Sequence, residues 1–155
     1  MRGALRGVLA VALALLVVAA AGCGGDTKSK NAYVTAVNKA QSDFVAVVDD
    51  SESRISGTAS DKDTATQLDM IRAAAAKVVV ELRGIKPPGN VKTLHSNLVA
   101  EAQGLVAAFR KAANAYRSGQ PSQILTAKVD LSKDVSRVNS QLNATIAALN
   151  NKLHG

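Results

Sequence analysis

Beyond residue 31 the chain alternates apolar and polar positions with the period of an α-helix. Apolar residues recur at steps of three and four in four successive stretches, a spacing that excludes the every-second-residue alternation of a β-strand. Each stretch predicts one amphipathic helix. In chain order the apolar stripes are Tyr33, Val37, Ala40, Phe44, Val47 or Val48, and Ile55; Leu68, Ile71, Ala75, Val78 and Leu82; Val91, Leu94, Leu98, Ala102, Leu105, Phe109, Ala112 and Tyr116; and Ile124, Leu131, Val135, Val138, Leu142, Ile146, Leu149 and Leu153.

Three short breaks separate the stripes. The first break is Gly57–Ser60, and Ser60 or Asp61 is a plausible N-cap for the helix that follows it. Pro87-Pro88 lies in the second break. In the third, Gly119 suits a left-handed C-terminal cap and Pro121 suits the first turn of the next helix. Four amphipathic helices joined by short connections predict an all-α, up-down-up-down four-helix bundle over residues 32–155.

The stripes also predict the character of the core. Small residues at seam positions allow helices to approach closely, and the chain contains no Trp. We therefore expect a thin, closed core without an internal cavity of several hundred Å³, the size of a small-molecule site. The small seam residues are Ala40, Ala75, Ala102 and Ala112.

The first 23 residues have a different pattern. Arg2 and Arg6 precede an unbroken run of small or apolar residues from Gly7 to Ala21. The run is shorter than the roughly 20 residues needed to span a bilayer, but it fits the apolar region of an export signal. Only Gly22 separates the run from Cys23, the single cysteine of the chain, so no intrachain disulfide can form. This segment could also be an ordinary secretory signal that a cysteine happens to follow, or an uncleaved membrane anchor.

The segment Ala20-Ala21-Gly22-Cys23 resembles the lipobox of bacterial lipoproteins, although Ala20 stands where that family most often has Leu. The resemblance implies cleavage after residue 22 and acylation of Cys23, with palmitate or a similar fatty acid. Residues 1–22 are then the signal peptide, and residues 23–31 are the lipidated cysteine and a flexible tether. The implied location is the outer face of the cell membrane, or the outer membrane in a two-membrane host, since no Asp follows Cys23.

A second resemblance is carried by Pro87-Pro88 followed by Leu94-His95. This junction is similar to one in small helical lipoproteins of unknown function from high-GC Gram-positive bacteria. It implies the helical fold and no particular activity.

Charge narrows the choice of partners. Without residues 1–22 the chain carries 17 Lys and Arg against 12 Asp and Glu, a formal balance of +5. The charges are scattered, as on the solvated faces of helices, although cations beside a membrane favour anionic headgroups. Only four aromatic residues are present, so base stacking on nucleic acid has little support.

Few residues of the sequence suggest a catalytic, metal-binding or cofactor-binding site. His95 could pair with Glu81 or a metal, but no second ligand stands at helical spacing from it, and a half-exposed position at the bundle edge is the simpler expectation. Haem ligation by Met70 and His95 is a remote option. The Glu-x-x-His pairs of di-iron bundles and the Gly-x-Ser-x-Gly of hydrolases are absent. We therefore predict no catalytic residues, no metal site and no cofactor.

Two functions remain open at this point. The first is a lipid-anchored, non-catalytic interaction module that contacts another envelope protein. The second is a small-ligand or metal-binding lipoprotein that serves a transporter or a sensor, which requires a pocket.

Overall fold

The computed structural model describes residues 25–55 and 59–154, which form four α-helices. They are α1 (Gly25–Arg54), α2 (Asp61–Gly84), α3 (Lys92–Ser118) and α4 (Pro121–His154), with a short 3₁₀ turn at Gly89–Val91 before α3. No strand occurs within these two ranges. The predicted all-α class and four-helix bundle are confirmed.

The helix ends follow from local side-chain chemistry. The hydroxyl of Ser60 accepts a hydrogen bond from the Asp63 amide at 3.1 Å, and the Asp63 carboxylate accepts one from the Ser60 amide at 3.3 Å. This reciprocal arrangement satisfies amide donors that the first turn of α2 leaves unpaired. Gly119 ends α3 at φ 64°, in the left-handed region that favours glycine, and Pro121 is the first residue of α4. These three positions agree with the sequence analysis.

Consecutive helices pack side by side: α1 on α2, α2 on α3, and α3 on α4. The short connections make each pair antiparallel, so the fold is an up-down-up-down bundle. The core is one continuous apolar cluster that draws on all four helices. At 1.5 Å per residue, the 34 residues of α4 extend over about 51 Å, so the molecule is a slim rod.

The first helix begins earlier than the apolar pattern indicated. Helix α1 begins at Gly25, so residues 25–31, predicted to be part of a flexible tether, are helical. The side chains of residues 27–31 are exposed or half-buried, and the first buried side chain described in α1 is that of Tyr33. The apolar stripe therefore marks where α1 meets the core, while the helix itself extends about two turns further toward its N-terminus.

Within the described ranges no helix combines the length and the apolar character needed to cross a membrane.

Candidate functional site

The predicted lipid-attachment residue, Cys23, lies outside the described residues. In the sequence it stands two positions before Gly25, the first residue of α1. A chain of two residues reaches about 7 Å at most. Whatever is attached to Cys23 is therefore close to the start of α1.

Four elements meet at the end of the bundle where α1 begins, which we call the N-terminal end. Tyr33 of α1 contacts His95 of α3, and His95 contacts the backbone of Leu82 near the end of α2. The side-chain amide of Asn90 donates to the backbone oxygen of Lys152 at 2.8 Å, which ties the turn before α3 to the last turns of α4. The opposite, distal end holds the α1–α2 and α3–α4 connections.

His95 is the main correction to the sequence analysis. It was expected to be half-exposed, but only 7% of it is accessible, whereas its neighbour Leu94 is only partly buried. Its ring nitrogens contact the Tyr33 hydroxyl at 3.2 Å and the Leu82 carbonyl oxygen at 3.0 Å. It does not pair with Glu81. The imidazole is thus a buried polar link among α1, α2 and α3.

The two contacts fix the tautomer of neutral His95. A carbonyl oxygen only accepts, so Nε2 carries the proton that is donated to Leu82, and neutral Nδ1 accepts from the Tyr33 hydroxyl. Burial lowers the pKa of His95, and the bond to Leu82 opposes this shift only in part. Burial raises the pKa of Tyr33 to about 12. Both groups therefore remain neutral near pH 7, and the two rings meet edge-on with centroids 5.6 Å apart.

A narrow apolar cleft lies between the helices, further along the rod. It has a volume of about 50 Å³ and is lined by all four helices, with Gln41 as its polar lining residue. Small-molecule sites usually measure 300–1,000 Å³. The cleft is consistent with the thin core expected from the alanine-rich seams, because Ala75 and Ala102 both line it.

A second, partly buried polar contact joins α3 to α4. The hydroxyl of Thr145 donates to Oε1 of Glu101 at 2.8 Å, and Oε2 of Glu101 is buried without a hydrogen-bond partner in the described residues. Burial raises the pKa of Glu101, and the bond from Thr145 offsets this only in part. The carboxyl group is therefore costly to ionise in this position.

Gln41, Glu101 and Thr145 carry no motif in the sequence, and His95 was expected at a half-exposed position, although the pattern contained a signal for all four. Gln41 stands four positions after Val37, and His95 four after Val91. Glu101 and Thr145 likewise follow apolar seam residues by three. Each polar residue thus occupies a position on or beside the apolar stripe, and counting apolar residues alone does not detect it.

The structure separates the two residues considered for haem. Met70 is 43% exposed on α2, and Leu82, which His95 contacts, lies twelve residues further along that helix. Twelve residues correspond to about 18 Å, too far for two axial ligands of one iron. Across residues 25–55 and 59–154, no three His, Cys, Asp or Glu side chains are grouped in a way that could hold a metal ion.

No protein-family model, curated protein or solved structure matches this chain.

Proposed function

We propose that this chain is a lipid-anchored protein of the bacterial cell envelope, held at the outer face of a membrane through Cys23. Its bundle serves as a non-catalytic module that binds another envelope protein. The anchor is supported by the signal-like residues 1–22 and the single cysteine that follows them. The short reach from Cys23 to α1 would hold the N-terminal end beside the lipid and leave the distal end available to a partner.

The observation that carries the binding role is a pair of exposed apolar side chains on α4. Leu125 is 65% exposed and Val129 is 47% exposed. They are four residues apart, so they lie on one face of the helix, one turn from each other. Both fall within the first nine residues of α4, in the distal part of the rod. Contiguous exposed apolar surface marks protein-binding sites, and this pair supports the start of such a surface on α4.

The alternative, a small-ligand or metal-binding lipoprotein for a transporter or sensor, has less support. It requires a pocket, and the apolar cleft of about 50 Å³ is well below the usual size of a metabolite site. A thermal-shift panel of metals and metabolites tests it directly, since a ligand selective for the folded state raises Tm. A reproducible rise in Tm with one compound would favour the alternative.

The anchor is tested by mass spectrometry of the native N-terminal peptide and by Cys23→Ser. We expect an acylated Cys23 as the first residue, and release of the Cys23→Ser protein from membranes. Ser29→Ala, in the same segment, is the control and should remain membrane-bound. A native N-terminus at Met1, or a bare thiol at position 23, would contradict the proposal.

The binding role is tested by cross-linking in intact membranes followed by pull-down. The double variant Leu125→Ser/Val129→Ser should no longer form the cross-link to the partner that the wild type forms. Met70→Ser/Val80→Ser is a matched control, because these α2 residues are also exposed, by 43% and 69%, but are not adjacent to one another. Recovery of the same partner with both double variants, or repeated recovery of none from the wild type, would refute this role.

A further inference from the structure

The N-terminal end of the bundle gathers cations that the sequence scatters. Residues 25–33, 81–95 and 150–154 meet there through the Tyr33–His95, His95–Leu82 and Asn90–Lys152 contacts. These segments hold six Lys and Arg against two carboxylates, Asp26 and Glu81, a formal balance of +4. We call the six cations the basic end: Lys28, Lys30, Arg83, Lys86, Lys92 and Lys152.

The distal end has the opposite sign. Residues 49–63 and 114–124, which form the two connections there and the helix ends beside them, hold five carboxylates and three Lys or Arg, a balance of −2. The rod is therefore polarised along its length. Its positive end is the one from which the chain continues toward Cys23.

Five of the six cations of the basic end are available to an external partner. All except the half-buried Lys30 are exposed, and those five form no ion pair with the described residues. Glu81 pairs instead with Lys77 at 3.5 Å, a residue outside the basic end. Elsewhere on the rod, several cations are neutralised locally, such as Lys39 by Asp43 at 2.7 Å and Lys111 by Asp130 at 2.5 Å.

We propose that the basic end is a docking surface for the anionic phospholipid headgroups of the membrane in which the protein is anchored. The inference rests on the proposed anchor, which places this end at the bilayer. From Cys23 to Gly25 the chain reaches about 7 Å, comparable to the Debye length of about 8 Å at physiological ionic strength. The cations nearest the anchor thus lie within range of the surface potential, and the helical start of α1 leaves little slack between anchor and bundle.

Docking through the basic end sets the orientation of the rod. Headgroups attract the positive end and repel the acidic distal end, so the long axis points away from the bilayer. The Leu125 and Val129 side chains are then held away from the lipid. A rod that lay flat would instead bring a cation from the side of the bundle, such as Lys77 or Lys111, to the surface.

The experiment uses the native, membrane-purified protein reconstituted into vesicles of phosphatidylcholine, with or without about 30 mol % phosphatidylglycerol. Lysine acetylation is followed site by site by mass spectrometry. We expect Lys86, Lys92 and Lys152 to react about fivefold more slowly on the anionic vesicles. Lys62, Lys128 and Lys133, in the distal half, should react equally on both and serve as internal controls. In about 1 M salt, where the Debye length is about 3 Å, the difference should vanish.

A pair of charge variants sharpens the test. A triple variant of the basic end should abolish the protection of Lys28 on anionic vesicles; it carries Lys86→Gln, Lys92→Gln and Lys152→Gln. A matched triple variant of the distal half should leave that protection intact; it carries Lys62→Gln, Lys128→Gln and Lys133→Gln. Equal acetylation of the basic end on both vesicle types overturns the inference. Protection of Lys77, Lys111 or the distal lysines in place of the basic end overturns it as well. The mass of the N-terminal peptide in the same spectra reports separately on the anchor, so a failure of the docking proposal is distinguished from a failure of the anchor.

Discussion

The hydroxyl of Tyr33 on α1 lies 3.2 Å from Nδ1 of His95 on α3, and 62 residues separate the two in the chain. The contact couples the first helix to the third at the end where the chain emerges toward Cys23. It also accounts for a polar ring at a core position, because His95 makes a hydrogen bond through each of its nitrogens.

Removal of the Tyr33 hydroxyl should destabilise the bundle. In Tyr33→Phe the ring still packs, but Nδ1 of His95 stays buried without its donor, a loss of about 1–3 kcal/mol in the free energy of unfolding. Urea unfolding followed by circular dichroism measures it. Tyr116→Phe is the control, since Tyr116 is also buried but its hydroxyl has no hydrogen bond within the described part of the chain. Equal losses in both variants would show that the Tyr33–His95 bond adds nothing specific.

Acid should weaken the fold through His95. Burial lowers the pKa of His95 below its ordinary value of 6.5, so the unfolded chain takes up a proton first as the pH falls. The stability contributed by neutral His95 is complete above pH 6.5 and declines between 6.5 and the lower folded pKa. Unfolding free energies of the wild type and His95→Gln, compared from pH 7.5 downward, should differ in slope in that interval. Parallel curves would contradict the prediction.

Alkali should act through Tyr33. Burial raises its pKa from 10.0 to about 12, so the folded state resists ionisation. The neutral phenol contributes stability that is complete below pH 10 and is lost as the pH rises toward 12, because the unfolded chain releases its proton first. Ultraviolet absorbance of phenolate should reveal a tyrosine that titrates near pH 12 in the wild type and is missing from Tyr33→Phe, in which Tyr116, whose pKa burial also raises, is the remaining tyrosine. Its absence, with every tyrosine titrating near pH 10, would contradict the assignment.

Glu101→Gln should stabilise the protein at neutral pH. Burial raises the pKa of Glu101 above 4.5, so the fold favours the neutral carboxyl, and that advantage, complete below pH 4.5, is lost as the pH rises through the folded pKa. Gln keeps the size of the side chain and an oxygen to accept from Thr145 without the charge. Tm should therefore rise at pH 7 and change little near pH 4.

The matched variant for this site is Thr145→Val, which removes the donor and should lower the stability by about 1.5 kcal/mol at pH 7. A fall in Tm for Glu101→Gln at pH 7 would mean that the ionised carboxylate is stabilised by its surroundings.

Two glycines at helix ends should respond oppositely to alanine. Gly119 has φ 64°, so Gly119→Ala places a β-carbon in the left-handed region and should cost about 1 kcal/mol. Gly84, the last residue of α2, has no positive φ, and a β-carbon there would meet nothing within 4 Å. Gly84→Ala should be neutral or stabilising by up to about 1 kcal/mol. Chemical denaturation of both variants checks the sign, and a loss at Gly84 equal to that at Gly119 would refute the backbone argument.

The sequence by itself determined the four helices, their breaks and most of the core. Helical periodicity, the Ser60 cap and the Gly119-to-Pro121 turn depend on neighbours a few residues apart, so the local pattern contains them. The apolar stripe did not reveal where α1 begins, because the helix starts at Gly25 and the side chains of residues 27–31 are not buried.

Tertiary structure alone decided which distant groups meet. Whether His95 is exposed or buried depends on the position of Tyr33 and of the Leu82 carbonyl, groups on two other helices. The polarity of the rod has the same origin. Charges from α1, from the turn after α2 and from the end of α4 are scattered in the chain, and an antiparallel bundle brings them together at one end because alternate helix ends coincide there.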